Sequence, residues 1–180
     1  MPFKRTPRHY DEPALYDYAV GALGRRMRTV AELKRLMRAR VLDQPNGELL
    51  IEVVIARLKE QRYLNDAGYA AAYSSFRKEN EKFGSLRVVR ELKAKGMHAD
   101  VIERAVKTAY QGVNEEELAR AFLARKRIAR PVNQKQAARI FRALARAGFS
   151  SRVIIPILKK WNVEDETLSA LEQEREERES

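Results

Sequence analysis

The side chains with chemistry to offer in this sequence are basic, and they come in threes. Lys34, Arg35 and Arg38, then Arg87, Arg90 and Lys93, then Arg139, Arg142 and Arg146 fall near helical spacing on three stretches of similar pattern. Arg77, with Lys78 and Lys82, and the run Arg125, Lys126, Arg127 and Arg130 add charge beside them. A stripe of guanidinium and ammonium groups recognises phosphates and carboxylates; it makes and breaks no covalent bond. One such run alone is most simply a solvated face laced with i,i+4 pairs. Recurrence at matching positions favours a shared binding edge.

Groups suited to catalysis are missing. There is no cysteine, and His9 and His98 stand far apart with no metal-ligand partner at helical spacing. No Gly-rich phosphate loop occurs, and no serine or threonine stands in a nucleophile motif. Asn65 and Asp66 have the position of helix caps, a commoner use for such a pair than acid–base work. We read a non-enzyme without metal or cofactor.

The formal charge is +11, unevenly spread. From Glu164 to Ser180 there are eight acidic and two basic residues, a net of −6, which leaves +17 on residues 1–163. Such a field attracts polyanions and gives sequence-independent, salt-sensitive affinity for nucleic acid. An acidic protein groove is an equally good match for the charge alone.

These groups must be carried by helices. The chain has 180 residues, 44% of them hydrophobic, with only 8 Gly and 6 Pro, and Lys, Arg, Glu, Ala and Leu dominate it. No apolar run reaches the roughly 20 residues that cross a bilayer, and MPFKRTPRHYDEP lacks a signal peptide's apolar stretch. A soluble cytoplasmic protein is expected, with residues 1–12 a disordered basic leader.

Three units follow, at 13–63, 64–112 and 113–163, each of three helices, and then an acidic tail at 164–180. In the first, Pro13 suits a helix start, Thr29 and Glu32 have capping-box spacing, and LDQPNG breaks the second helix from the third. In the second, Asn65 and Asp66 open a helix expected to bury Tyr69, Ala70, Tyr73 and Phe76. The next helix ends at Gly96, and His98 starts the third. In the third, Asn114 and Asn133 cap, Pro131 closes the first helix, Gly148 ends the second and Ser150 caps the last, where Pro156 should kink the helix or delay its start.

Arg90, Leu92 and Gly96 recur as Arg142, Leu144 and Gly148 at a shift of 52, and Arg35 and Met37 match Arg90 and Leu92 at a shift of 55. Units that bury a face only by stacking on neighbours form arrays, so the expected fold is all-α: three tandem three-helix repeats in an elongated, curved array. Tyr63, Tyr69, Tyr73 and Phe76 could stack on bases, but their helical spacing assigns them to the core. The tail EDETLSALEQEREERES could fold back on the basic body as a nucleic-acid mimic; its simpler reading is a frayed, solubilising helix end.

Tyr63-Leu64-Asn65-Asp66, followed by Tyr69-Ala70, Tyr73 and Arg77, then Gly84, Arg87, Arg90, Glu91-Leu92 and Lys95-Gly96, resembles the central signature of the RecX family of bacterial recombination regulators. The resemblance runs from about Ala14 to Trp161; Asn65 departs from the usual aspartate, and LDQPNG lengthens one corner. It implies three three-helix repeats and a modulator of the RecA recombinase. Such proteins lie in the groove of the RecA filament on single-stranded DNA, bridge protomers, and suppress ATP hydrolysis, strand exchange and the co-protease activity that triggers the SOS response. The partners implied are the RecA nucleoprotein filament and, weakly and salt-dependently, single-stranded DNA, with no membrane and a monomeric chain. A freestanding helical nucleic-acid-binding protein is the rival reading, and a pure protein-interaction solenoid the third. A duplex reader would bind sequence-selectively, and a solenoid would bind no DNA.

Overall fold

The computed structural model describes residues 9–179, and among these the regular structure is entirely α-helical. The order is α1 (Glu12–Arg25), α2 (Val30–Val41), α3 (Gly47–Glu60), α4 (Asp66–Glu79), α5 (Ser85–Ala94), α6 (Ala99–Tyr110), α7 (Glu115–Arg125), α8 (Gln134–Arg146), α9 (Ser151–Lys159) and α10 (Asp165–Glu179). Most of the basic leader expected at the N-terminus lies outside the described residues. Of the part described, Tyr10 is buried, its N–H donating to Gln44 Oε1 at 2.8 Å. Asp11 caps α1 by accepting from the Ala14 N–H at 2.9 Å.

Capping side chains set the helix starts. Thr29 Oγ1 accepts from the Glu32 N–H at 3.0 Å while Glu32 Oε2 accepts from the Thr29 N–H at 3.2 Å, a closed capping box. Asn114 and Asn133 accept from the amides of Glu117 and Gln136 at 3.2 and 2.9 Å. Asn65 Oδ1 accepts from the Gly68 N–H at 2.8 Å, and Asp66 Oδ1 from the Val30 N–H at 3.0 Å. Both members of that pair are caps, one for its own helix and one for α2. Helix α9 starts directly after Ser150 and runs through Pro156. The expected delay is absent, although a proline there leaves the Arg152 carbonyl without its usual donor.

Five helices end on the same closure. The N–H of Tyr63, Met97, Ile128, Phe149 and Val163 donates to the carbonyl five residues back, at Leu58, Leu92, Leu123, Leu144 and Leu158, over 2.9–3.3 Å. The residue just before each donor turns left-handed, with φ +61° at Arg62, +75° at Gly96, +53° at Arg127, +95° at Gly148 and +58° at Asn162. Glycine stands where a Cβ would collide: 2.5 Å from Ala31 Cβ at Gly96, and 2.3 Å from the Arg87 backbone N at Gly148. Arginine and asparagine accept the strain at the other three. Helix α7 is thus closed at Arg127, ahead of Pro131, the residue expected to end it.

The chain forms two compact units, Met1–Ala70 with Leu92–Ile102, and Ala71–Glu91 with Glu103–Ser180. Helices α4, α5 and α6 contribute to both, so packing units and sequence repeats divide the chain differently. The first unit buries Leu15, Ala19, Leu33, Met37, Ile51, Val54, Ile55 and Leu58 from α1, α2 and α3. The second buries Phe122, Ile140, Phe141, Leu144, Phe149, Ile154, Ile157 and Leu158, together with Leu168 and Leu171 of α10. Ala70 and Ser74 are the buried positions of α4. Tyr63 and Phe76, expected in the core, are 56% and 52% exposed, and Tyr69 and Tyr73 are half-buried. The helix turns its small residues inward and its aromatic ones to its flanks.

Within the first unit, the capping box extends into a latch. Lys95 Nζ lies 3.0 Å from Glu32 Oε1, and the buried Thr29 hydroxyl donates to the Lys95 carbonyl at 2.8 Å. Burial acts to raise the Glu32 carboxyl, but its bonds to Lys95 and to the Thr29 amide outweigh it and hold the group below the ordinary carboxylate range. A depressed carboxyl stabilises the fold above its unfolded pKa, and the contribution is lost as pH falls through the folded value. Glu32→Gln is therefore expected to cost up to about 1 kcal/mol near neutrality, with solvent screening keeping it modest, and progressively less as the pH falls below the ordinary carboxylate range. Urea unfolding of both chains across that range measures it.

Candidate functional site

The basic residues singled out by spacing divide by environment into tied and untied groups. In the second unit, Arg77 and Arg87 are tied. Arg77 Nη2 donates to the Tyr73 hydroxyl at 2.8 Å, and its Nε lies 3.0 Å from Glu91 Oε2. Arg87 Nε donates to Glu91 Oε1 at 3.0 Å, with its guanidinium 3.7 Å from the Phe83 ring centroid. Tyr73 closes the ring of contacts by donating to Glu91 Oε2 at 2.9 Å. Burial pushes the Tyr73 phenol up, and its bonds with Arg77 and Glu91 act in opposite directions on it. Burial works against the Arg77 charge, yet Tyr73 and Glu91 more than restore it. Two arginines around one half-buried carboxylate form a structural cluster, so a charge reversal at Arg87 would report on stability before it reported on binding.

Elsewhere, pairing is looser. In the first unit, the half-buried Lys34 pairs with the exposed Glu52, and Arg38 grips Glu48 with two nitrogens at 2.6 and 3.1 Å on exposed ground. Arg125 lies 3.1 Å from Glu81. Exposed pairs of this kind exchange partners cheaply. Arg35, Lys93, Lys126, Arg127, Arg139 and Arg146 are exposed and make no ion pair among the described residues.

Helix α8 gathers the strongest set. Its sequence QKQAARIFRALAR contains Lys135, Arg139, Arg142 and Arg146 and no acidic residue. Ala137, Ile140, Phe141 and Leu144 are buried, which leaves Arg139, Arg142 and Arg146 on the opposite side at i, i+3 and i+7. Arg90 reaches the end of this helix and donates through Nη2 to the Ala145 and Arg146 carbonyls, each at 3.4 Å, where the helix dipole welcomes a cation. Arg90, Arg142, Arg146 and Arg175 surround a cavity of about 200 Å³ floored by Phe141, Ala145 and Leu171, with Glu174 at its side. Four guanidinium groups around an apolar floor can hold phosphate oxygens and seat a flat or aliphatic group beneath them.

Arg175 does not stand out in the sequence, because it lies in a segment that reads as a solubilising end. Its signal is nonetheless present: Leu168, Leu171 and Arg175 recur at spacings of three and four, one stripe of a helix. The structure places that stripe against the body. Arg175 Nη1 donates to the Phe149 carbonyl at 3.1 Å, and Arg142 Nη2 donates to Glu174 Oε2 at 3.2 Å. The tail folds back rather than fraying, because two leucines in a charged segment suffice to anchor it.

Among the described residues, no group of three or more His, Asp or Glu side chains could hold a metal, and no helix is long and apolar enough to cross a membrane.

Comparison with known proteins agrees with this architecture. Residues 65–106 match the family model described as RecX, second three-helix domain. Over 163 residues the chain is 34% identical to the Regulatory protein RecX of Deinococcus radiodurans, covering 88% of this chain and 74% of that protein. The Regulatory protein RecX of Myxococcus xanthus is 32% identical over 164 residues, covering 81% of this chain and 84% of that one. Against its Geobacillus thermodenitrificans counterpart identity is 31%, and the chain spans about half that protein's length, 52%. The crystal structure of RecX from Lactobacillus salivarius superposes with a TM-score of 0.67 at 22% identity, covering 84% of this chain and 96% of that one, which establishes a shared fold.

Proposed function

The chain belongs to the RecX family, and from this we propose that it regulates RecA, mainly as an inhibitor. In this reading it binds as a monomer in the groove of the RecA filament on single-stranded DNA. It suppresses ATP hydrolysis, strand exchange and co-protease activity by bridging protomers, and it needs no catalytic group of its own. The observation that carries the reading is the α8 face: Arg139, Arg142 and Arg146, joined by Arg90, opposite a buried apolar stripe and with no acidic residue on the helix. That face offers affinity for phosphates or a carboxylate-lined groove, and the relatives' shared name, Regulatory protein RecX, supplies the biological setting.

Sedimentation with three partners tests the reading. The protein is expected to pellet with RecA filaments on single-stranded DNA, to bind naked oligonucleotide weakly with steep salt dependence, and to show no sequence preference on duplex. Tight binding to naked DNA with no gain from RecA would favour the freestanding nucleic-acid-binding protein instead.

A further inference from the structure

Helix α10 lies along α8 and α9 and brings most of the chain's C-terminal negative charge with it. Polar links run the length of α8. Gln134 Nε2 donates to Glu164 Oε2 at 3.0 Å beside its start, and Arg142 donates to Glu174 farther along. Lys159 Nζ of α9 lies 2.8 Å from Asp165 Oδ1. The anchor is thin: of the described α10 side chains, only Leu168 and Leu171 are buried. Where Leu171, Glu174 and Arg175 face Arg90, Arg142 and Arg146, the helices leave the cavity of about 200 Å³ unfilled. A segment held by two leucines, the Arg175–Phe149 bond and solvent-accessible ion pairs is anchored, but by few enough contacts to be competed off its seat.

We propose that α10 is an internal competitor for the α8 face: Glu174 holds Arg142, beside Arg90 and Arg146 at the cavity, until the phosphates of a single-stranded nucleic acid displace it. This rests on the reading that the α8 face meets DNA in the filament, and it adds a closed state in which that face is partly masked. Glu174 would leave Arg142 when a phosphodiester arrives, and Arg142 would then join Arg90 and Arg146 around the opened cavity, in line with the already exposed Arg139. Such masking lowers the apparent affinity for any stray polyanion and reserves the face for a strand presented at high local concentration.

The test uses the full chain and a single-stranded oligothymidine, with affinity read by fluorescence anisotropy over a salt series. One variant carries Glu172→Gln, Glu174→Gln, Glu176→Gln and Glu177→Gln and keeps Leu168 and Leu171. A control of equal charge carries Asp43→Asn, Glu60→Gln, Glu79→Gln and Glu103→Gln, exposed positions outside α10. The α10 variant is expected to bind about tenfold more tightly than the control at low salt. In the parent chain, α10 amides are expected to lose hydrogen-exchange protection when the oligonucleotide is added. Equal affinity of the two variants, or binding that leaves α10 protected, overturns the proposal while leaving RecA regulation standing. Binding by none of the three chains removes both this proposal and the direct DNA contact in the functional reading.

Discussion

Reversing Arg139 and Arg146 together to glutamate is expected to raise the concentration needed for half-maximal binding to RecA–DNA filaments by about tenfold or more, without unfolding the protein. Both side chains are exposed and neither makes an ion pair among the described residues, so nothing in the core depends on them. Their helix carries no acidic residue, so removing like charges there also relieves repulsion. The reversal changes the local charge by four units on the face that would meet phosphate or carboxylate. If those residues neutralise phosphates, the salt dependence should also flatten, by about one unit of slope for each phosphate they no longer neutralise. Co-sedimentation at several salt concentrations measures both effects. Arg142 is the less clean choice, since it also holds Glu174. An unchanged midpoint at every salt would take Arg139 and Arg146 out of the binding face.

The largest expected effect on stability belongs to a glycine. Gly148→Ala combines a left-handed backbone, φ +95°, with a Cβ placed 2.3 Å from the Arg87 backbone N and 2.7 Å from the Gly84 carbonyl oxygen. The left-handed conformation costs an alanine about 1–2 kcal/mol, and forcing backbone apart costs roughly as much again. The corner has no slack: the Gly84 N–H donates to the Ala147 carbonyl at 2.9 Å and the Leu86 N–H to the Gly148 carbonyl at 3.3 Å. A loss on the order of 3 kcal/mol follows, which for a unit of this size lowers the melting temperature by about 10 °C or more. Gly21→Ala is the internal control. It lies within α1 with nothing within 4 Å of the added Cβ, and alanine there is expected to stabilise by about 0.5–1 kcal/mol. Thermal unfolding of the two variants should move in opposite directions.

Much of the fold is legible in the sequence because helix ends are local events. Thr29 with Glu32, Asn114 with Glu117 and Asn133 with Gln136 all sit within one turn of their partners, and each caps as its spacing requires. The Gly96 and Gly148 endings are legible for the same reason. What spacing does not reveal is partners distant in the chain. Asp66 caps α2 from 36 residues away, and the carboxylate that binds Arg77 is Glu91, 14 residues on. The basic triplets look equivalent by period, yet Arg87 is enclosed by Glu91 and Phe83 while Arg139 and Arg146 face solvent. Size and period assign Tyr63 and Phe76 to the core; Ala70 and Ser74 take those positions because α4 buries a narrow face. In α10, charge density hides the short stripe of Leu168 and Leu171.

The proposal that this basic helical protein regulates RecA is tested most directly by titrating the purified protein into RecA hydrolysing ATP on single-stranded DNA. The rate is expected to fall progressively with added protein, and to fall at distinctly higher concentrations of the Arg139→Glu, Arg146→Glu variant. A rate unchanged when the protein is stoichiometric with RecA would contradict the account.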